Sequence, residues 1–467
     1  MTRTWATSGL DLHLELAGSK VRAGLETALR DAVQTGRLAA GTRLPSSRSL
    51  AADLGIARNT VADAYAQLVA EGWLTARQGS GTTVADAAPA IAATASKPAP
   101  AAGRPASFSL RPGSPDLSAF PRSAWLAAAR RALNAAPTQA LGYGDPRGRP
   151  ELRAALAAYL ARTRGVRATP DQILVCTGFV QGLALLCQVL RDHGATTLAV
   201  EEYSQPANLG ILAAHCIAPA MLSVDDSGAV LAEPGPDLPA DAALLTPAHQ
   251  FPLGPALSPA RRAQAARWAA GSGGLIIEDD YDGEFRYDRQ PVGALQALAP
   301  GHVVYAGTAS KSLAPGLRLG WLVLPARLVD DLVAAKAGAD AHTGSFEQLT
   351  LAEFITSGGY DRHIRRVRLA YRRRRNWLLA ALAEHAPQVR VTGIAAGLHA
   401  VAELPAGMDE AEVVARAAAQ SLTVEGLAAY ALGPHTRPPA LVVGYATPPG
   451  HAYAVAVARL CTAIAAS

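Results

Sequence analysis

The sequence predicts two unlike domains: a small helical unit closed by a β-hairpin, then a large α/β domain built on a mostly parallel sheet. Three observations carry this. At 467 residues the chain exceeds what a single hydrophobic core organises. Residues 85–107, ADAAPAIAATASKPAPAAGRPAS, are almost entirely Ala, Pro, Ser and Gly with no apolar period, a composition that makes a semi-extended spacer. Beyond it, short apolar runs alternate with Ala- and Leu-rich stretches long enough for helices, the rhythm of a sheet crossed by helices.

The leading unit, residues 11–84, reads as three helices and two strands. Val21, Leu25, Leu29 and Val33 recur at helical spacing, and Gly36 is a natural stop. A second helix starts after LPSS, with Ser46 or Ser47 as N-cap, and ends at Gly55. A third carries Val61, Tyr65 and Leu68 on one face and ends near Gly72. In WLTARQGSGTTVA, two short runs flank the turn residues Gly79-Ser80-Gly81. In the large unit, residues 108–467, the strands fall on Ile173–Cys176, Thr197–Val200, Ala243–Leu245, Leu275–Ile277, Val303–Tyr305 and Leu319–Leu324.

Composition narrows the class. Half of the residues are hydrophobic and 17% are charged, which is the balance of a chain that buries a core rather than of a disordered one. The net charge of +5 permits an acidic partner without demanding one. Cys176, Cys187, Cys216 and Cys461 lie far apart with no CxxC spacing, which argues against zinc or a disulfide scaffold and fits a reducing cytoplasm. The opening MTRTWATSGLDLHLEL has no signal-type apolar core, and charges or turn residues interrupt every long apolar stretch, so no membrane association is expected.

Two helices joined by a tight turn can place the second in the major groove of DNA, its first residues at base edges. Here that helix opens on Arg58-Asn59-Thr60, side chains able to pair with guanine, adenine and either a base or a phosphate. Arg43 and Arg48 are placed for phosphates, and Arg77 and Gln78 stand at the hairpin tip beside Gly79. By spacing alone these arginines serve equally as a solvated face. The string GRLAAGTRLPSSRSLAADLGIARNTVADAYAQLVAEGWLTARQGSGTTVA, however, resembles the GntR-type winged helix, with LPSSRSLA, RNTV and GSGT as its signature segments. The resemblance implies double-stranded DNA as partner, with contacts from Arg43, Ser46, Arg48, Arg58, Asn59, Thr60, Arg77, Gln78 and Gly79. Ala57 departs from the Ser or Thr usual before the reading helix, at a cost of roughly 1 kcal/mol in capping.

In open α/β sheets, ligands sit at the carboxyl ends of the strands. Several polar clusters follow apolar runs here: Thr177-Gly178, Pro247-Ala248-His249-Gln250, Asp279-Asp280-Tyr281 and Thr308-Ala309-Ser310-Lys311. A lysine, two acids, a tyrosine, hydroxyls and a helix opened by glycine suit a phosphorylated aldehyde. Lys311 would form the Schiff base, and Asp279 would keep a pyridine nitrogen protonated. Tyr281 can bond the ring oxygen, and Thr308, Ser310, Arg318 and the helix after Gly178 can hold the phosphate. Taken singly, each of these residues is as readily a loop or surface residue.

Residues 108–467 resemble fold-type I aminotransferases, and specifically the MocR subgroup of GntR regulators. The motifs are LGYGDPRGRPELRAALAAYL, TPAHQFPLG, IIEDDYDGEFRY and GTASKSLAPGLRLGWLVLP. This implies a mostly parallel α/β domain with a smaller C-terminal α+β subdomain, holding pyridoxal 5′-phosphate on Lys311. The cofactor set so implied is Tyr143, Gly178, Phe179, Val180, Gln250, Asp279, Tyr281, Thr308, Ser310, Lys311 and Arg318. Tyr143 matches a position that reaches the partner subunit's phosphate, so a head-to-tail homodimer is expected.

Three departures bear on function. VEEYSQP replaces the usual VEDPGY, putting Gln205 where an aromatic stacks on the ring and leaving open whether Tyr203 substitutes. Gln250-Phe251-Pro252-Leu253-Gly254 stands where aminotransferases have Asn-Pro-Thr-Gly, with His249 or Gln250 able to supply the hydrogen bond. In ALVVGYA, Val442 replaces the arginine that grips a substrate carboxylate, a pair worth about 1.5–3 kcal/mol, and Arg437 is the nearest cation in sequence. A ligand-responsive transcription factor is therefore expected, sensing pyridoxal phosphate or an amine; a working aminotransferase is the alternative. The basic run from Arg362 to Arg375 shows Ile364, Val367, Tyr371 and Leu378 on one face and reads as a structural helix, with extra DNA contact as the lesser reading.

Overall fold

The computed structural model describes residues 21–77, 81–86, 108–231, 240–287 and 292–465. These fall into two compact units, one ending at Gly103 and one starting at Arg104. Most of the Ala/Pro-rich tract, residues 87–107, lies outside the described residues.

The first unit contains α1 (Val21–Gln34), α2 (Ser47–Leu54), α3 (Arg58–Ala70) and the strands β1 (Leu74–Arg77) and β2 (Gly81–Val84). Leu25, Leu29 and Val33 of α1 meet Leu50, Val61, Tyr65 and Leu68 in one core, closed from the hairpin by Leu74 and Val84. Val21, expected on that face, is instead 43% exposed at the helix start. Ser46 is the N-cap of α2, its Oγ accepting the Ser49 N–H at 3.1 Å. Gly55 ends the helix at φ 61, a left-handed conformation that glycine adopts without a Cβ penalty. Tyr65 ties α3 to the segment before α2 by donating to the Pro45 carbonyl at 3.0 Å.

The second unit is layered around a seven-stranded sheet of β3 (Ile173–Cys176), β4 (Thr197–Glu201), β5 (Ala218–Leu222), β6 (Ala242–Leu245), β7 (Leu275–Asp279), β8 (Val303–Thr308) and β9 (Gly320–Val323). Their spatial order is β3-β9-β8-β7-β6-β4-β5. Only β9 runs against its neighbours in this sheet; the other pairings are parallel. The helices are α4 (Arg122–Ala135), α5 (Pro150–Arg164), α6 (Phe179–Asp192), α7 (Ala207–Ala214), α8 (Pro259–Ser272), α9 (Val329–Asp340), α10 (Ser345–Thr356), α11 (Gly359–His385), α12 (Glu410–Ala419) and α13 (Tyr453–Ala465).

Strand side chains alternate between two apolar layers, as the pleat requires. Leu174, Leu198, Ile277 and Leu322 join the cluster that includes Leu183 and Leu186 of α6. Val175, Tyr305 and Trp321 join the cluster that includes α5, α10 and α11. A strand buried on both faces reads as a continuous apolar run, which is why these strands were visible in sequence. The edge strand β5 was not expected: its APAML is mostly exposed and lacks such a run. A smaller antiparallel sheet follows, of β10 (Arg390–Thr392), β11 (Ala400–Glu403), β12 (Glu425–Gly426) and β13 (Ala440–Val443), in the order β10-β11-β13-β12.

Candidate functional site

Parallel strands aim their carboxyl ends the same way, and here those ends carry the polar residues. Asp279 ends β7 and Thr308 ends β8, with Asp279 paired in register to Ala306. Lys311 and Arg318 lie in the loop between β8 and β9. Gly178 leads from β3 into α6 at φ 103, and a Cβ there would come within 3.3 Å of the Arg318 guanidinium. The bare backbone at Gly178 lets helix start and guanidinium approach one point. The first N–H groups of α6 lack intrahelical partners, so this end attracts an anion.

Asp279, Thr308, Lys311 and Arg318 line one cavity of about 350 Å³, whereas Gly178, expected in the same set, stands against the Arg318 guanidinium and does not border the cavity. Phe179, Val180, Asp279, Tyr281, Thr308, Ser310, Lys311 and Arg318 all border it, with Gln205, Asn208 and Gly113 among the others. Lys311 Nζ donates to the Gly113 carbonyl at 2.5 Å. Thr308 Oγ1 lies 3.0 Å from Ser310 Oγ and accepts the Ser310 N–H at 3.1 Å, which orders the hydroxyl pair. Among the described residues the Arg318 guanidinium has no hydrogen-bond or carboxylate partner, and only the backbone N–H of this residue is bonded, to the Pro315 carbonyl at 3.2 Å.

Burial and neighbouring charge set the protonation of these groups. Burial pushes the Asp279 carboxyl up to about 8, with Lys311 acting against it and Asp280, Asp282 and Glu201 adding to it. Burial lowers the Lys311 ammonium, and Asp279 and Asp282 oppose that. Both residues are therefore partly relieved of charge, leaving a lysine closer to its nucleophilic form and an acid that lacks a full cationic partner. Burial, aided by Asp282, raises the Tyr281 phenol far above its ordinary value, so it remains a hydrogen-bond donor. His249 Nδ1 lies 2.8 Å from Asp282 Oδ2 and 3.0 Å from the Tyr281 hydroxyl, fixing that ring from behind.

Several expected members of the site lie elsewhere. Gln250 does not border the cavity: its Nε2 donates to Glu201 Oε2, the Tyr203 carbonyl and the Phe251 carbonyl, and its Oε1 accepts the Leu253 N–H. With its amide so occupied, it orders the turn rather than facing a ligand. Asp280, grouped with Asp279 in sequence, points away, because neighbouring residues of an extended segment alternate sides. It pairs with Arg164 at 2.7 Å and accepts the Tyr305 hydroxyl at 2.7 Å. Tyr203 is buried in the cluster with Phe251 and Tyr430, its hydroxyl 2.9 Å from His435 Nδ1, and does not border the cavity that Gln205 lines. Arg437 bonds the Val224 carbonyl and borders a different cavity. Val442 is fully buried on β13, opposite Val401 and Glu425. Tyr143 does not line this cavity and is 95% exposed. Gly113, Asn208 and Thr246 border the cavity without having stood out in sequence. The Gly113 carbonyl reaches Lys311 from 198 residues away, a contact no local pattern announces.

In the first unit, Arg43, Arg48, Arg58 and Asn59 are exposed and Thr60 is half-buried, at and before the start of α3. Ser46 is exposed, though its hydroxyl already caps α2. Ala57 provides no side-chain cap to α3. Arg77 ends β1 opposite Gly81, while Gln78 and Gly79 lie outside the described residues. A Cβ on Gly81 would stand 3.1 Å from Arg43 Nε, so glycine leaves room for that guanidinium against the hairpin. Among the described residues no helix is long and apolar enough to cross a membrane, and no cluster of His, Cys, Asp and Glu could hold a metal ion.

Comparison with known proteins covers both units. Residues 22–84 match the bacterial regulatory proteins of the gntR family, and residues 113–449 match aminotransferase class I and II. The probable rhizopine catabolism regulatory protein MocR of Rhizobium meliloti is 34% identical over 414 residues, 84% of this chain and 83% of that one. The HTH-type pyridoxine biosynthesis transcriptional regulator PdxR of Corynebacterium glutamicum is 34% identical over 409 residues, 86% of this chain and 87% of that one. In structure, the α-aminoadipate aminotransferase of Thermus thermophilus superposes with a TM-score of 0.64 at 28% identity, covering 76% of this chain and 92% of that one. The chain thus belongs to the MocR subfamily of GntR-type transcriptional regulators, in which a DNA-binding winged helix is joined to an aminotransferase-like domain.

Proposed function

We propose that this regulator holds pyridoxal 5′-phosphate in the cavity between Lys311 and Asp279, and that binding of the cofactor or of an amine changes its affinity for operator DNA. The carrying observation is the convergence of Lys311, Asp279, Thr308, Ser310, Arg318 and the open start of α6 on one cavity. The donor set fits the group: a guanidinium without a carboxylate partner among the described residues and a helix N-terminus suit a phosphate, while a carboxyl held at about 8 suits a pyridine nitrogen. The Thermus thermophilus relative was crystallised with N-(5′-phosphopyridoxyl)-L-leucine, which supports the same occupant here.

When bound, the cofactor supplies an aldehyde that condenses reversibly with amines. The chain's own residues do the rest. Lys311 offers the amine, partly unprotonated because burial lowers its ammonium. Asp279 would pair with the ring nitrogen, and Tyr281 would donate to the ring oxygen. Arg318, Thr308, Ser310 and the N–H groups of Phe179 and Val180 would hold the phosphate. A homodimer with shared sites, to which Tyr143 would contribute, is part of the proposal, and the 95% exposure of Tyr143 supports it. With Val442 at the carboxylate position, the effector is pyridoxal phosphate itself or an amine lacking an α-carboxylate. Arg58, Asn59 and Thr60 read base edges, and Arg43, Ser46, Arg48, Arg77, Gln78 and Gly79 engage the duplex around them.

The test is the visible absorption of the full chain with added pyridoxal phosphate, beside Lys311→Ala. The wild type should develop a band characteristic of lysine-bound cofactor, and the variant should show only that of the free aldehyde. Identical spectra would remove Lys311 from the mechanism. A cofactor-dependent change in operator affinity of severalfold corresponds to about 1–3 kcal/mol of coupling.

A further inference from the structure

Among the described residues the longest helix is α11, 27 residues long, and it divides sharply into two faces. Tyr360, His363, Ile364, Val367, Tyr371 and Leu378 are buried against the large domain. This inner face holds the loop that carries Lys311: His363 Nε2 lies 2.8 Å from the Ser312 carbonyl, and the Tyr360 hydroxyl donates to Ser312 Oγ at 2.8 Å. Two arginines of the run are structural. Arg374 pairs with the buried Asp116 at 2.6 Å, and Arg368 donates to the Glu284 carbonyl at 2.7 Å.

The other face is different. Arg362, Arg365, Arg366, Arg372, Arg373 and Trp377 are all exposed and recur every three or four residues or their multiples, one stripe along the helix. At 1.5 Å per residue it spans about 22 Å. Among the described residues none of these five arginines has a carboxylate partner; the bonds of Arg362 and Arg366 go to the Ser357 and Ala119 carbonyls and to the His363 ring. The helix's own acids are Asp361, paired with Arg162, and Glu384 near its end.

Charge is concentrated here to an unusual degree. The helix carries eight arginines against two carboxylates, whereas the chain as a whole carries only +5. Residues 1–84, which include the base-reading helix, hold nine Lys and Arg against seven Asp and Glu. The reader is nearly neutral, and the basic excess of the protein lies on the outer face of α11. Five guanidiniums without carboxylate partners, held in a row by a rigid helix, cost repulsion unless a polyanion neutralises them.

We propose that the outer face of α11 is a sequence-independent contact surface for the phosphate backbone of duplex DNA, additional to the winged helix. The partner class follows from charge complementarity and from the duplex already being this regulator's ligand, and the proposal rests on that reading. Each arginine of the stripe that neutralises a phosphate adds about 0.9 to the steepness with which log K falls against log salt, and its replacement by alanine should remove that increment.

The experiment measures binding of the full chain to a generic duplex of about 60 base pairs, long enough for non-specific contacts on both sides of a reading site, by fluorescence anisotropy across a salt series. The proteins are the wild type, Arg365→Ala/Arg372→Ala/Arg373→Ala, and Arg58→Ala. The triple variant alters only exposed side chains, and its pyridoxal phosphate absorption should match the wild type as a control for folding. We expect it to bind at least about tenfold more weakly at low salt, with a slope shallower by about 2–3, for duplexes of unrelated sequence. Unchanged affinity and slope in the triple variant, with Arg58→Ala impaired, would overturn the stripe and leave the reader standing. Failure of the wild type to bind any duplex would overturn both.

Discussion

Replacing Asp279 with Asn separates what the cofactor cavity costs the empty protein from what it contributes to the loaded one. The carboxyl, ordinarily at 3.8, is held at about 8 by burial and by the neighbouring acids. Between those values the unfolded chain has released its proton and the folded site still holds it. Folding then takes up a proton, so stability falls as pH rises through this window, and the full penalty is reached above about 8. At roughly 1.4 kcal/mol per pH unit, retaining the proton that the unfolded chain releases costs the folded state about 4 kcal/mol at pH 7. Asp279 borders the cavity and is only half-buried, so solvent screening brings the expected effect to about 2–4 kcal/mol. Asparagine has no such proton. The cofactor-free Asp279→Asn protein should exceed the wild type by no more than about 1 kcal/mol near pH 4.5 and by the full amount near pH 7.5. Glu201, Glu278 and Glu284, each raised to about 7 by burial, titrate in both proteins and cancel in the difference. With pyridoxal phosphate the gap should largely close, because the wild type gains about 2.7 kcal/mol at a hundredfold excess over Kd and the variant lacks the partner of the ring nitrogen. Urea unfolding of both proteins at the two pH values, with and without cofactor, measures all of this. A variant no more stable than the wild type at pH 7.5 without cofactor would refute the reasoning.

Two further predictions concern the scaffold. Ala57 sits in extended geometry at the start of α3 with no side-chain cap, so Ala57→Ser should stabilise the winged helix by about 0.5–1 kcal/mol; an unchanged or lower melting temperature for that unit would count against a missing cap. Asp116→Ala should cost the large domain about 3 kcal/mol by stranding Arg374, whose side chain is 12% exposed. The figure is at the low end because Arg374 also bonds the Ala446 and Pro448 carbonyls, and an unmoved urea midpoint would show those bonds suffice.

Much of this fold was legible because its signals are local. The central strands are continuous apolar runs, Ser46 and Gly55 bracket α2 as cap and stop, and the face of Ile364, Val367, Tyr371 and Leu378 packs as its period implies. The departures have physical causes. Edge strand β5 escaped notice because an exposed edge needs no apolar run. Asp279 and Asp280 were grouped as neighbours in sequence, yet adjacent residues of an extended segment face opposite sides, so one borders the cavity and the other meets Arg164. Gln250 was placed by its position in a motif, but position does not say where an amide finds its partners, and all of those it finds lie in its own turn and strand ends.

By itself the sequence determined the two-part architecture, the reading helix at Arg58-Asn59-Thr60, and the chemical types available at the strand ends. Periodicity, caps and short motifs are written within a few residues of one another. The tertiary structure decided which of those groups share one cavity, that Gly113 accepts from Lys311, that Arg437 points elsewhere, and that five arginines of α11 lie together on its open face. Such facts depend on contacts between distant segments and on which side of a strand or helix is covered, and only packing fixes those.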